Sequence, residues 1–249
     1  MEYENSVSFL VSGKMALFSD PVTRAGGEKC SYQVPTYQAL KGILESVYWK
    51  PTFIWHVDAV RIMNPIRSRS EGIRPIGYTG GNTLSIYTYL TDVAYEVKAH
   101  FEWNENRPDL SEDHNENKHY LIAKRMIERG GRRDVFLGTR ECQAYVEPCE
   151  FGFSDTAKGY YRDTPELSFG LMFHGFNYPD ETGRNQLESR FWYPKMRNGV
   201  IEFCRPGDCP VERVIKKQKP KAFVIGQNMS GCDDPAKEAV SNGLDAEAL

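Results

Sequence analysis

The stretch VAYEVKAHFEW, residues 93–103, constrains the fold of this chain more than any other. Val93, Tyr95, Val97, Ala99, Phe101 and Trp103 recur at every second position, so they share one face of an extended strand. A strand with so long an apolar face needs neighbours on its edges and a layer packed against that face. The sequence offers both. Val7, Phe9 and Val11 alternate with polar residues, and so do Phe53, Trp55 and Val57 within FIWHVDAVRIM at 53–63. Between those two strands, Ala39, Leu40, Ile43, Leu44 and Val47 recur at helical spacing. That helix is predicted to start at Pro35, whose missing N–H is harmless in a first turn, and to run to Trp49, with Pro51 as its stop.

Beyond an acidic connector, Ile122 and Met126 on one flank and Ala123 and Ile127 beside them predict a second helix, with Gly130 as its C-cap. VFLGTRECQAYVEP then returns to β texture, while the Arg- and Gly-rich residues 64–83 read as a long loop or irregular hairpin. The order over residues 1–150 is β-α-β-β-α-β. That makes an α+β, ferredoxin-like unit, whose open sheet is also the platform of the RNA-recognition module. From 151 to 225 the chain turns to short strands (LSFGLMFHGF, GVIEFC) around Gly and Pro turns, a smaller β-rich part packed on the first. Residues 226–249, acidic and rich in Gly, Asn and Ala, have the composition of a disordered tail.

Charge is segregated although the net charge is only −3. Residues 118–140 hold seven basic and two acidic side chains, residues 205–221 six and two, and residues 61–74 four Arg and one Glu. Against these stands 102–116, with six acids and one Arg. Three basic segments on a near-neutral chain can form one face that draws in a polyanion, the footprint of a nucleic-acid binder. A run of about 18 apolar residues, as a membrane span would need, is missing, and MEYENSVSF is unlike a secretory signal. A cytoplasmic chain with reduced cysteines is therefore expected. Cys204 and Cys209 bracket RPGD and Cys142 and Cys149 stand seven apart, neither with the spacing of a zinc ribbon, so all are read as small buried hydrophobes.

Of the five histidines, His56, His100 and His174 fall in strands and are expected to be packed and hydrogen-bonded. His114 and His119 stand five apart with Asp113 beside them, but on a connector expected to be mobile they are poor preorganised metal ligands. His119 differs because Lys118 precedes it and a positive helix follows. A cation nearby makes an imidazole lose its proton more readily, so a neutral base is available near pH 7. A ribose phosphodiester carries its own 2′-hydroxyl nucleophile; it needs a group to take that proton and a cation to hold the charged phosphorane. Tyr48, where the first helix leaves its apolar stripe, is the third candidate, since both helices lie on one face of the sheet. From the residues alone, Lys118–His119 is as well explained by helix capping, and Tyr48 is better explained by ordinary packing at a helix end.

The segments DPVTRAGGEKCSYQVPTYQALKGILESVYWKPT, NKHY, GGRRDVFLGTRECQAYVEPCEFG and HGFNYPDE resemble the Cas-five family of CRISPR-associated proteins, d subtype, over roughly residues 5 to 220. The resemblance implies a fold of the RAMP superfamily type and a type I-C pre-crRNA endoribonuclease. Such an enzyme cuts the CRISPR repeat hairpin without metal or other cofactor, leaves a cyclic phosphate, and stays on the five-prime handle of the crRNA with the other Cascade subunits. It places the family's tyrosine on Tyr48 and its lysine and histidine on Lys118 and His119. His119 is then general base or acid, Lys118 the phosphorane-stabilising cation, and Tyr48 a proton-transfer or positioning partner. Arg24, Lys29, Lys124, Arg125, Arg132, Arg133 and Arg140 are the phosphate-contact candidates; Tyr32 and Tyr37 could stack an unpaired base, with core packing an equally good reading of both. The rival expectation is a non-catalytic RNA-binding scaffold; a metal-dependent DNA nuclease would need clustered carboxylates, and those at 102–116 read mostly as a solvated connector.

Overall fold

A strand of 19 residues, Ser85–Trp103, forms the spine of the protein. A computed structural model of the chain describes residues 5–77, 79–152 and 159–220; the expected tail at 226–249 lies outside them. In chain order the elements are β1 (Val7–Ala16), α1 (Pro21–Arg24), β2 (Lys29–Cys30), α2 (Tyr37–Val47), β3 (Phe53–Ile62), β4 (Ser68–Ile73) and the long strand, β5. A 3₁₀ turn (Pro108–Asp113) leads to α3 (Glu116–Glu128), β6 (Val135–Phe136) and β7 (Gln143–Pro148). There follow β8 (Leu167–Ser168), β9 (Met172–Asn177), α4 (Pro179–Thr182), β10 (Gln186–Trp192), β11 (Lys195–Arg197), β12 (Val200–Glu202) and β13 (Val211–Lys217).

The main sheet runs β6-β7-β1-β5-β3-β12-β11-β8. Within it, β7, β1, β5 and β3 are mutually antiparallel neighbours, and α2 and α3 connect them as a split βαβ pair. The predicted alternation is seen directly: Val97 and Ala99 are wholly buried, with Val93, Tyr95 and Phe101 nearly so. β5 also extends eight residues further back than the alternation suggested. Its first half pairs with β4, from Ser68 opposite Leu90 to Ile73 opposite Ser85, so the segment 64–83 is a hairpin arm. At Asp92 the backbone turns left-handed (φ 51°), which an Asp tolerates better than most residues. There β5 changes partner from β4 to β3.

The helices cover one face of this sheet. α2 buries Leu40, Ile43, Leu44 and Val47, and α3 buries Ala123, Met126 and Ile127. Each such aliphatic burial contributes about 1.5–3 kcal/mol. The N-cap of α2 is Thr36, whose Oγ1 accepts from Ala39 N at 3.2 Å, so Pro35 lies before the cap and not in the first turn. The helix also stops at Val47, short of Trp49. α3 ends as the glycines dictate: Gly130 N donates to Ile127 O and Gly131 N to Met126 O, with Gly130 at φ 82°. Those two bonds satisfy carbonyls that a helix end leaves orphaned.

The chain after residue 150 divides between two sheets. β12, β11 and β8 extend the main sheet beyond β3, while β9, β10 and β13 form a separate three-stranded sheet. The second sheet packs near the start of α2, where Gln38 Oε1 accepts from Phe176 N at 3.1 Å.

Candidate active site

Tyr48 is the first residue past α2. Its N–H still donates to Leu44 O at 2.8 Å, but its backbone is extended (φ −157°, ψ 127°), and this turns its side chain inward. Trp55 Nε1 donates to the Tyr48 carbonyl at 2.7 Å and holds that turn in place. On α3 the N-cap Asn115 accepts from Lys118 N at 3.0 Å, which sets His119 in the first turn facing the sheet. The two helices thereby bring Tyr48 Oη to 2.8 Å from His119 Nδ1. On the other side of the ring, Nε2 lies 2.8 Å from the Asp113 carbonyl. A carbonyl only accepts, so Nε2 carries the proton, and Nδ1 accepts from the tyrosine hydroxyl.

The imidazole sits among Phe53, Trp103 and Phe101, at ring-centroid distances of 5.3, 5.7 and 6.3 Å. Burial pushes its pKa below the ordinary value; Asp113 opposes the shift, while the Lys118 and Lys50 charges add to it. His119 is thus a neutral base at pH 7, with burial rather than the adjacent lysine as the main cause. Lys118 stands at the surface side of the pair, with Nζ 3.1 Å from Asp113 Oδ1. Thr52 Oγ1 donates to the other Asp113 oxygen at 2.9 Å. Burial would raise the Asp113 carboxyl, but the hydrogen bonds from Lys118 and Thr52 outweigh it and hold the group below the usual carboxylate range.

His119 and Tyr48 are 0% and 1% exposed, so the pair lies behind a cover. That cover is the 3₁₀ turn ending at Asp113. The connector expected to be mobile is therefore folded, and its last acid ties Lys118, Thr52 and His119 together. In the sequence, Asp113 stands out only as a neighbour of His114. His114 instead stacks on Trp103, with centroids 4.4 Å apart and planes within 9°, outside the Tyr48–His119 contact.

A second feature opens beyond the far end of α3. Arg129, Arg132, Arg133 and Arg140 line an open groove of about 1010 Å³ together with Gly130, Gly131, Phe136 and Tyr145. Gly131 needs its positive φ of 110° here, and Arg133 N donates to Ser46 O at 3.2 Å, joining the groove to the end of α2. From Lys118 to Arg129 the helix rises about 16 Å. Of the seven predicted phosphate contacts, Arg132, Arg133 and Arg140 line this groove. Lys124 and Arg125 are exposed on α3, and Lys124 Nζ lies 5.6 Å from the Tyr120 ring. Arg24 and Lys29 belong to the α1–β2 segment, which pairs with Tyr87 and Thr88 of β5. Tyr145, 62% exposed on β7, joins Phe136 in lining the groove, and an exposed tyrosine in a strand left no periodic signal by which to find it. Tyr37 is buried core, and Tyr32 is half-buried with its Oη accepting from Phe173 N at 3.2 Å.

The strand histidines are packed as expected. His100 is wholly buried with Nδ1 2.9 Å from Asp58 Oδ2, and His56 lies 3.4 Å from the Tyr37 hydroxyl. Glu102, which the sequence grouped with the acidic connector, lies on β5 and contacts His56 and Arg205. No helix among the described residues is long and apolar enough to cross a membrane.

Residues 6–204 match the profile of a family of CRISPR-associated proteins. The chain belongs to the Cas5 family of CRISPR-associated proteins, in its Cas5d branch. It is similar to the CRISPR pre-crRNA endoribonuclease Cas5d of Thermus thermophilus, with 27% identity over 77% of this chain and 88% of that protein. The protein of the same name from Mannheimia succiniciproducens is 25% identical over 80% of this chain and 94% of its own length. A solved CRISPR-associated protein, 39% identical, aligns with 84% of this chain and 96% of its own at a TM-score of 0.69. SMU1763c from Streptococcus mutans, a functionally uncharacterized protein, aligns over the same shares at 38% identity and a TM-score of 0.66.

Proposed function

We propose that this protein is a pre-crRNA endoribonuclease that cuts the CRISPR repeat hairpin by attack of a 2′-hydroxyl on the adjacent phosphate. In the same reading it stays on the five-prime handle as a subunit of a type I-C surveillance complex. Family membership and the names of the relatives support the substrate class. The observation that carries the chemistry is the 2.8 Å bond from Tyr48 Oη to His119 Nδ1, with Lys118 at the outer edge of the same turn.

In the proposed step the 2′ oxygen bonds to phosphorus as its proton passes to Tyr48 Oη, and the tyrosine proton passes to His119 Nδ1. Lys118 stabilises the phosphorane charge, the bond to the 5′ oxygen breaks, that oxygen takes a proton from water, and the hydroxide left behind is neutralised by the proton His119 Nδ1 gives up. The products are a 2′,3′-cyclic phosphate and a 5′-hydroxyl, with no electron change and no metal needed for the balance. Positioned proton transfer contributes about 10² to 10⁴-fold. Access requires the Asp113 turn to lift: an incoming phosphate takes over Lys118 from the carboxylate, and the like charge of Asp113 then favours leaving. The groove of Arg129, Arg132, Arg133 and Arg140 holds RNA phosphates about one helix length away, largely by shape and charge.

The burial of His119 and Tyr48 favours a second reading, in which the pair is structural and the protein is a scaffold that grips RNA without cutting it. One experiment separates the two. A labelled repeat hairpin is incubated in EDTA with the wild type, with Tyr48→Phe, and, as a separate substrate, with deoxyribose at the scissile position. Cleavage by wild type alone, with binding retained in both controls, is expected. Binding without cleavage by the wild type, with or without divalent metal, establishes the scaffold. Cleavage restored only by metal rejects the metal-free step.

A further inference from the structure

His174 on β9, Cys204 just after β12, and Cys209 after the 3₁₀ turn Pro206–Asp208 converge although thirty residues of chain separate the first from the second. One ring nitrogen of His174 and the two sulfurs all lie within 4.8 Å of one another, the one such group of potential metal ligands among the described residues. The two Sγ atoms are 3.7 Å apart. A disulfide would bring them to about 2.05 Å. Two thiolates on one tetrahedral zinc, at about 2.3 Å each, stand about 3.8 Å apart.

The imidazole is set for such a role. His174 is wholly buried, and Nε2 lies 3.1 Å from the Cys204 carbonyl, so Nε2 bears the proton and Nδ1 the lone pair. Nδ1 is buried and has no hydrogen-bond partner, an exception that calls for an explanation in a well-packed interior. Metal-bound histidines commonly show this arrangement, one ring nitrogen donating to a backbone carbonyl while the other ligates. The ring is clamped against Tyr37, with centroids 4.2 Å apart and planes within 19°, and Trp192 meets it edge-on at 5.5 Å. Cys209 is buried and Cys204 half-buried, so the site meets solvent on the side of Cys204.

We propose that His174, Cys204 and Cys209 bind one thiophilic divalent cation of the zinc type, which staples the main sheet to the three-stranded sheet. Cys204 follows closely on β12 of the main sheet and His174 lies on β9 of the other, so a cation held by both joins two layers that the chain connects only through loops. Cys-x4-Cys alone is too loose a pattern to predict this from sequence, because the third ligand arrives from a different sheet.

The test uses the whole chain, kept reduced, titrated with Co²⁺. A thiolate-to-cobalt charge-transfer band that saturates at one equivalent and disappears on adding Zn²⁺ is expected, with a Zn²⁺-dependent rise in Tm. Cys204→Ser and Cys209→Ser should abolish the band, His174→Ala should weaken cobalt binding at least about tenfold, and Cys149→Ser should leave it intact. Wild-type protein without a band overturns the proposal whatever the variants do. So does a band that survives Cys204→Ser, the half-exposed and least disruptive change, and an unchanged Tm in Zn²⁺ overturns the staple.

Discussion

Helix α2 carries a tyrosine–histidine pair at each end, and the two pairs are built differently. At its start Tyr37 lies flat against His174, centroids 4.2 Å apart, while its hydroxyl faces His56 instead. At its end Tyr48 donates to His119 at 2.8 Å. Both histidines are wholly buried, and burial lowers the pKa of both. The difference lies in what the lone-pair nitrogen meets. His119 Nδ1 receives a hydroxyl proton and stands behind a surface lysine, which suits proton transfer. His174 Nδ1 has no hydrogen-bond partner, in a ring beside two sulfurs, which suits a Lewis acid. Burial alone therefore does not assign a histidine; its second nitrogen does.

Removing one hydroxyl at each end of α2 separates the two pairs most directly. Tyr48→Phe should lower cleavage of the repeat hairpin by about 10² to 10⁴-fold while binding persists. Tyr37→Phe removes the hydroxyl that lies 3.4 Å from His56, far from the proposed chemistry, and should cleave as the wild type does, single-turnover assays comparing the two directly. Each change should cost about 1 kcal/mol of stability, so equal melting curves with unequal cleavage are the diagnostic result. Equal cleavage in both variants would mean that neither pair transfers a proton.

Charge comes next. Replacing Arg132 and Arg133 together by Ala should weaken RNA binding and flatten its salt dependence. The slope should fall by about 0.7 to 0.9 for each phosphate no longer neutralised, read from binding isotherms across salt. Tyr48 and His119 would be untouched, so cleavage at saturating protein should survive. Asp113→Asn sharpens the question of access. It removes the carboxylate that holds Lys118 and the like charge facing an incoming phosphate, so the rate at saturating protein should rise while stability drops by about 1 kcal/mol. A fall in that rate would show instead that Asp113 orients the imidazole.

The smallest effect is on pH dependence. Burial holds His119 below the ordinary imidazole value and pushes His56 down to about 3. Folded, both stay neutral where the unfolded chain takes up protons, at and below about pH 6.5. Their contribution is therefore complete above that value and is lost as pH falls toward the folded values. Calorimetric Tm should drop on going from about pH 7 to about pH 5, and His56→Gln should reduce the drop. A flat profile over that range would mean that these rings protonate without opening their surroundings.

Much of the frame was legible in the residues. Period two at Val93 through Trp103, and helical spacing at Leu40 to Val47 and at Ala123 to Ile127, are local signals, and each element lies where its own signal placed it. The start of β5 was not legible, because residues 85–90 are held in the sheet by pairing with β4 rather than by an alternation of their own. Nor was the end of α2, where Tyr48 leaves the helix to reach a partner on α3. Tyr48, Lys118 and His119 could be named from a family resemblance, yet Asp113, the group that closes over them, read as part of a solvated connector.

Spacing along the chain was enough to order the main strands and helices and to mark the basic segments, since periodicity and charge runs are local signals. The folded chain then settled which nitrogen of His119 and of His174 carries the proton, that Tyr48 and His119 are buried beside Asp113, and that a histidine from one sheet meets two cysteines beside another. Hydrogen-bond direction, desolvation and ligand distance are properties of contacts between distant residues, and they come into being only when the chain closes on itself.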